Sequence, residues 1–198
     1  MRYFLFLIIS YFIGSISFAV IISKWHGIDI LKEGSGNPGS TNVKRVVGKK
    51  AGNLVFALDF LKGALPVGSV LHFFPDHPHV FYLGILALIG TILGHSFSIF
   101  LKFKGGKGVA VSMGGIMMLM PVTCFIGLLI WVITFYLTRY VSLASLLFGF
   151  SLPLSSWLLS QKLEFIVLSS FLTIFIIIRH LANIKRLLSG TENKFEKK

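Results

Sequence analysis

Long apolar runs separated by short polar ones organise this chain. Runs at about 3–23, 52–74, 80–100, 142–160 and 164–180 each predict a helix able to cross a lipid bilayer. Such a crossing takes roughly 20 mainly apolar residues, with about 17 as the lower limit. A further stretch, about 109–138, is longer than one span needs. Gly114-Gly115 and Met120-Pro121 each offer a break inside it, so it reads as one long tilted helix or as two short ones.

Composition supports this reading. Of 198 residues, 55% are hydrophobic and 13% charged, too much apolar surface for a water-soluble domain of this size to bury. Lys and Arg number 19 against 7 Asp and Glu, a formal charge of +12. In a membrane protein that excess points to cytoplasmic loops on an anionic leaflet. No basic soluble domain accompanies it, so no nucleic-acid partner is expected. The lone Cys124 excludes an intrachain disulfide framework and reads as a small hydrophobe. The first run carries Arg2 but no clear small-x-small cleavage site, so it reads as a retained helix rather than a signal peptide.

Charge also sets the expected topology. With loop 24–51 inside, an even number of crossings through 109–138 puts Arg139 and the basic C-terminus inside as well. Only Arg2 and Lys162 then lie outside, with Lys62 inside a helix, as the positive-inside rule favours. The expectation is an all-α polytopic membrane protein of about seven membrane helices, some short. Its N-terminus is out, its C-terminus in, and its active site at the cytoplasmic membrane surface. Five full spans plus a re-entrant hairpin is the near-equal alternative. The chain reads as one domain, 1–198, ending in a short polar tail at about 189–198.

Three polar segments carry candidate chemistry. In Phe103-Lys104-Gly105-Gly106-Lys107-Gly108, glycines let backbone N–H groups turn toward an anion and lysines add charge, a combination suited to phosphate. It is not the nucleotide P-loop pattern, which argues against ATP use. The segment 34–45 contains Gly34, Ser35, Gly36, Asn37, Thr41, Asn42 and Arg45. Arg45 can grip phosphate with its planar fork. Thr41 or Asn42 is expected to cap the following helix. The third segment places His180, Asn183 and Arg186 at a spacing of three, sharing one helix side, with Glu192 close behind. On one side of the bilayer the three segments could form a single anion site.

Asp59 and Lys62, at i and i+3, read as an ion pair near a helix end, because unpaired charges in a membrane are costly; a proton relay is the competing reading. His95 fits ligand contact and helix capping equally. No His-x4-Asp acyltransferase dyad, zinc spacing or Gly-x-Ser-x-Gly elbow is present, and no metal or cofactor is expected. A transporter for an organophosphate anion is the alternative class; it would place binding groups near the midplane, with internal repeats, and no repeat is visible. A membrane scaffold would leave the glycine-rich loop unexplained.

These segments resemble the three signature motifs of the bacterial acyl-phosphate:glycerol-3-phosphate acyltransferases, integral membrane enzymes that begin phospholipid synthesis. The first spans Gly34 to Arg45 and continues into Leu58-Asp59-Phe60-Leu61-Lys62-Gly63. The second runs from Gly94-His95 through Gly108-Val109-Ala110. The third comprises His180, Asn183, Ile184, Arg186, Leu187, Gly190, Glu192 and Lys194. Arg139 to Ser145 is also similar to the family. Ser40 and Ser98 depart from it, standing where Ala and Pro are usual.

The resemblance implies transfer of a fatty acyl group from acyl-phosphate to the 1-hydroxyl of sn-glycerol 3-phosphate, in the bacterial inner membrane. It implies functional coupling to the enzyme that makes acyl-phosphate. Ser35, Arg45, Lys104, His180 and Asn183 are the implied catalytic residues. Gly34, Gly36, Asn37, Thr41, Asn42, His95, Gly105, Gly106, Lys107, Gly108 and Arg186 are implied in substrate binding. Asp59, Lys62 and Glu192 are implied as supports. Either His180 or the substrate's own phosphate takes the hydroxyl proton.

Overall fold

The computed structural model describes residues 2–195; Met1 and residues 196–198, with Lys197 and Lys198, lie outside that range. The described residues are helical and contain no strand. They form two compact units, one up to Leu119 and one from Met120 onward.

The first unit contains α1 (Arg2–Ser15), α2 (Phe18–Trp25), α3 (Ser40–Val46), α4 (Lys49–Phe73), α5 (Val80–Ser96), a 3-10 turn (Ile99–Leu101) and α6 (Val109–Leu119). Glycines govern its packing. A Cβ on Gly90 would strike the carbonyl of Leu7, and one on Gly94 that of Tyr11. Gly14 in turn faces the backbone of Thr91. The Gly90-x-x-x-Gly94 pair thus lets α1 and α5 meet backbone to backbone, a close approach suited to helices that gain little from the hydrophobic effect inside lipid. Gly63 against Val111 and Gly114 against Phe60 join α4 to α6 in the same way. A small apolar cluster, including Ile22, Ile30, Val43 and Val55, holds α2, α3 and the loop between them against α4.

The second unit contains α7 (Pro121–Thr138), α8 (Val141–Leu158), α9 (Leu163–Arg179) and α10 (Leu181–Leu188). Here polar side chains add to the packing. Thr173 Oγ1 donates to the Gly149 carbonyl at 2.6 Å, and Trp131 Nε1 to Ser145 Oγ at 3.3 Å. Ser155 and Ser156 return their hydroxyls to their own helix, which keeps buried oxygens satisfied.

One boundary differs from the sequence expectation, and another selects between the two breaks it offered. The run 3–23 is not one helix: it breaks at Ile16–Ser17, and Ser17 Oγ caps α2 by accepting from the Val20 N–H at 3.4 Å. Two carbonyls at the break find distant donors. Lys62 Nζ reaches Ile16 O at 2.8 Å, and Ser98 Oγ reaches Ser15 O at 2.7 Å. In 109–138 the break falls at Met120, with Pro121 opening α7, while Gly114-Gly115 stays helical against α4 and α5. Among the described residues, five helical stretches are long and apolar enough to cross a membrane, or six if α9 and α10, bent by 63°, count as one. With 11 residues α6 is about 16 Å long, short of a full crossing.

Alanine at Gly94 or Gly114 is expected to destabilise the fold by roughly 1–3 kcal/mol, the cost of overpacking. Gly149→Ala should be nearly neutral, because its Cβ would meet Ile176 at an ordinary 3.5 Å. Thermal unfolding of the three variants in detergent checks this contrast.

Candidate functional site

In the first unit the loop between α2 and α3 is shaped by Gly27, Gly34 and Gly36, all at positive φ, where a side chain would be strained. Asn42 is buried and stitches this loop together. Its Oδ1 accepts the Ser35 N–H at 3.0 Å, while Nδ2 donates to Glu33 O at 2.9 Å and Ile30 O at 3.3 Å. Neither Thr41 nor Asn42 caps α3, contrary to expectation; Gly39 is the cap residue, and Asn42 lies within the helix. Its amide spends its hydrogen bonds on holding Ser35 in place. Ser35 and Arg45 are exposed, and Asn37 and Thr41 half-buried.

The second segment folds back on the end of α5. Lys102 and Phe103 both take left-handed backbone, φ 53° and 60°, a costly conformation for residues with a Cβ. The Phe103 N–H donates to Ser98 O at 2.8 Å, and the Lys104 N–H to Leu101 O at 3.1 Å. The Gly106 N–H then donates to His95 O at 3.1 Å, and Gly105 lies against the carbonyls of His95 and Ser96. Gly108, at φ 80°, opens α6. Lys102 and Lys104 are exposed and Lys107 half-buried, so positive charge gathers at a helix N-terminus, where anions are favoured.

Beneath this loop lies a buried polar chain. Lys62 Nζ is 3.0 Å from Asp59 Oδ1, and the His95 ring Nδ1 is 3.8 Å from the same oxygen. Lys62 also sits 5.6 Å from the Phe18 ring centroid. The ion pair expected from the i, i+3 spacing is therefore present, and it extends to His95.

In the second unit His180 is buried at the bend between α9 and α10, and its Nδ1 donates to Ile176 O at 2.8 Å. That bond places the ring hydrogen on Nδ1. Asn183 and Arg186 converge on Glu192: Asn183 Nδ2 donates to Oε1 at 2.7 Å, and Arg186 Nε to Oε2 at 2.7 Å. Glu192 reaches them because α10 ends in a Schellman turn. Gly190, at φ 72°, donates to Leu187 O, and the Thr191 N–H to Arg186 O.

Sequence reasoning missed Ser142, whose hydroxyl donates to Glu192 Oε1 at 2.8 Å. It reads about 189–198 as a short polar tail that holds Glu192, with no contact expected back to Arg139 or Tyr140. Instead the Phe195 N–H donates to Arg139 O at 3.0 Å, and Lys194 Nζ stands 5.0 Å from the Tyr140 ring centroid. The basic and aromatic residues around Arg139 were the available signal. Among the described residues, no group of three or more His, Cys, Asp or Glu could hold a metal ion.

An all-helical fold of apolar spans, with polar glycine-bearing loops, defines a multi-pass integral membrane protein. The glycerol-3-phosphate acyltransferase family model matches residues 4–190, and the chain belongs to that family. It is 43% identical over 197 residues to the glycerol-3-phosphate acyltransferase of Fusobacterium nucleatum, covering 99% of this chain and all of that one. It is 41% identical to the enzyme of Aquifex aeolicus, covering 96% and 98%. Among solved structures, it matches PlsY (YgiH), an integral membrane glycerol 3-phosphate acyltransferase in its glycerol 3-phosphate form. There the TM-score is 0.91 and the identity 38%, with 99% of this chain and 96% of that one covered. The lysophosphatidic acid form of PlsY gives a TM-score of 0.88.

Burial pushes the Glu192 carboxyl up, but hydrogen bonds from Asn183, Ser142 and Arg186, with the Arg186 charge, outweigh it and hold it below its ordinary value. Folding thus favours the carboxylate. Its contribution is complete above the unfolded value of about 4.3 and is lost as pH falls through the lower folded value. Glu192→Gln should lower stability at neutral pH by on the order of 2 kcal/mol. Thermal unfolding of both proteins against pH should show the gap closing in acid.

Proposed function

We propose that this protein transfers a fatty acyl group from acyl-phosphate to the 1-hydroxyl of sn-glycerol 3-phosphate, in the bacterial inner membrane. Its products are 1-acylglycerol 3-phosphate and inorganic phosphate. The observation that carries the reading is the pairing of two exposed basic loops, around Arg45 and around Lys102 to Lys107, with lipid-facing helices. Water-soluble and lipid-borne phosphates both suit such a surface. The relative whose crystal structures are in glycerol 3-phosphate and lysophosphatidic acid forms supports it. With the N-terminus out, these loops face the cytoplasm, where an acyl-phosphate-forming enzyme would supply the donor.

The donor is an activated mixed anhydride. The glycerol hydroxyl oxygen bonds to its carbonyl carbon, the bond from that carbon to the phosphate oxygen breaks, and phosphate departs with the electron pair. The protein's task is to neutralise two repelling phosphates and align the hydroxyl. Lys104 and the loop through Gly108 take glycerol 3-phosphate, and Arg45 with Ser35 serves the reacting centre. Asn42 supports them by fixing Ser35. His180 and Asn183 are the catalytic residues of the second unit, with Asn183 braced by Glu192. The hydroxyl proton goes to the substrate's phosphate in preference to His180.

Purified protein given palmitoyl phosphate and glycerol 3-phosphate should release phosphate and form lysophosphatidic acid, and palmitoyl-CoA should not replace the donor. Lys104→Ala should raise KM for glycerol 3-phosphate roughly tenfold, the loss of one charge-assisted contact. His180→Gln should keep the wild-type pH profile in its residual activity; a lost ionisation would make His180 the base. No product in folded protein, in detergent and in liposomes, would refute the assignment.

A further inference from the structure

Gly106 lies in the basic loop at ordinary negative-φ or extended backbone, outside the set of positive-φ glycines. Its lack of a side chain therefore has a cause other than backbone conformation. A Cβ built there would collide with the His95 ring, at Nε2, Cε1 and Cδ2, and the three nearest atoms all belong to that one side chain. Gly105 differs, because its Cβ would strike the backbone of His95 and Ser96. His95 is thus in contact with Gly106 twice: its carbonyl accepts the Gly106 N–H, and its ring rests on the Gly106 Cα. The other edge of the ring faces Asp59, which Lys62 pairs, and Lys62 is tied to the break between α1 and α2 through Ile16 O.

We infer that His95 is a positioning residue for the loop, and that Gly106 is glycine to seat this imidazole rather than to let a phosphate approach. The chain Ile16–Lys62–Asp59–His95–Gly106 sets the height of the loop above the end of α5, and so the place of Lys104 and Lys107. This role rests on the proposed use of that loop for glycerol 3-phosphate. It changes the expected part of His95, from touching substrate to acting through Gly106.

A double-variant cycle tests it, read by thermal unfolding in detergent and by calorimetric binding of glycerol 3-phosphate, neither of which needs turnover. Gly106→Ala should weaken binding tenfold or more and lower the unfolding midpoint. His95→Ala should weaken binding about threefold, and Asp59→Asn should do likewise. Removing the ring makes room for the methyl group, so the double variant His95→Ala with Gly106→Ala should be no worse than His95→Ala alone. Recovery of folded double variant when Gly106→Ala alone does not fold would support the same conclusion. Additive losses would overturn it, since Gly106 would then be needed by the ligand itself. If neither alanine variant of Gly106 folds, His95→Ala decides, and unchanged binding would overturn the inference. Wild-type protein that binds glycerol 3-phosphate but forms no product, with the coupling intact, would count against the proposed reaction and leave the positioning role standing. Wild type that does not bind it leaves the cycle to the unfolding midpoints, where additive losses again overturn the contact.

Discussion

The first unit depends on satisfying backbone carbonyls in a setting that offers no water to do it. Breaking a membrane helix frees polar groups, each costing several kcal/mol if left bare in hydrocarbon. The break at Ile16–Ser17 is tolerated because Lys62 and Ser98 arrive from other parts of the chain to cover Ile16 O and Ser15 O. Lys62 can be buried only because Asp59 neutralises it one turn away. An unbroken first helix would leave that lysine without its carbonyl acceptor, and the loop after α5 without Ser98's anchor.

The same economy builds the basic loop. The end of α5 has its own orphan carbonyls, and the returning chain supplies a donor, with Gly106 bonding to His95 O; just beyond the helix Phe103 bonds to Ser98 O. The loop's form therefore follows from completing a helix terminus, and Lys102 and Lys104 are left exposed as a result. In the second unit one carboxylate plays the corresponding part. Glu192 gathers donors from α8 and α10 and accepts their hydrogen bonds as a carboxylate.

How much of this was legible in the sequence depended on whether the cause was local. The spans were visible because hydropathy is a property of contiguous residues, and the break before Pro121 because proline announces the first turn of a helix. The Asp59–Lys62 pair was legible from its spacing. The break at Ile16 was not, since the run stays apolar through it and the groups that permit it lie 46 and 83 residues away. Asn42 was misread for a related reason: its partners are the backbone atoms of residues 30, 33 and 35, which leave no signature in side-chain type. Ser142 escaped because nothing in its neighbourhood points to a carboxylate 50 positions on.

The glycines of this chain divide by what they face, and the division bears on how the sequence can drift over generations. Gly63, Gly90, Gly94 and Gly114 abut main chain, which no mutation can trim. A methyl group there meets an obstacle common to all twenty amino acids, so no second substitution restores the fit. Gly34 and Gly106 abut side chains, Asn42 and His95. At Gly106 a smaller partner can open the way for a larger one. Gly34 has a second restraint, its positive φ, and stays fixed even so. Helix contacts made through bare backbone are thus frozen into the lineage, whereas the seat of the basic loop can be exchanged as a matched pair.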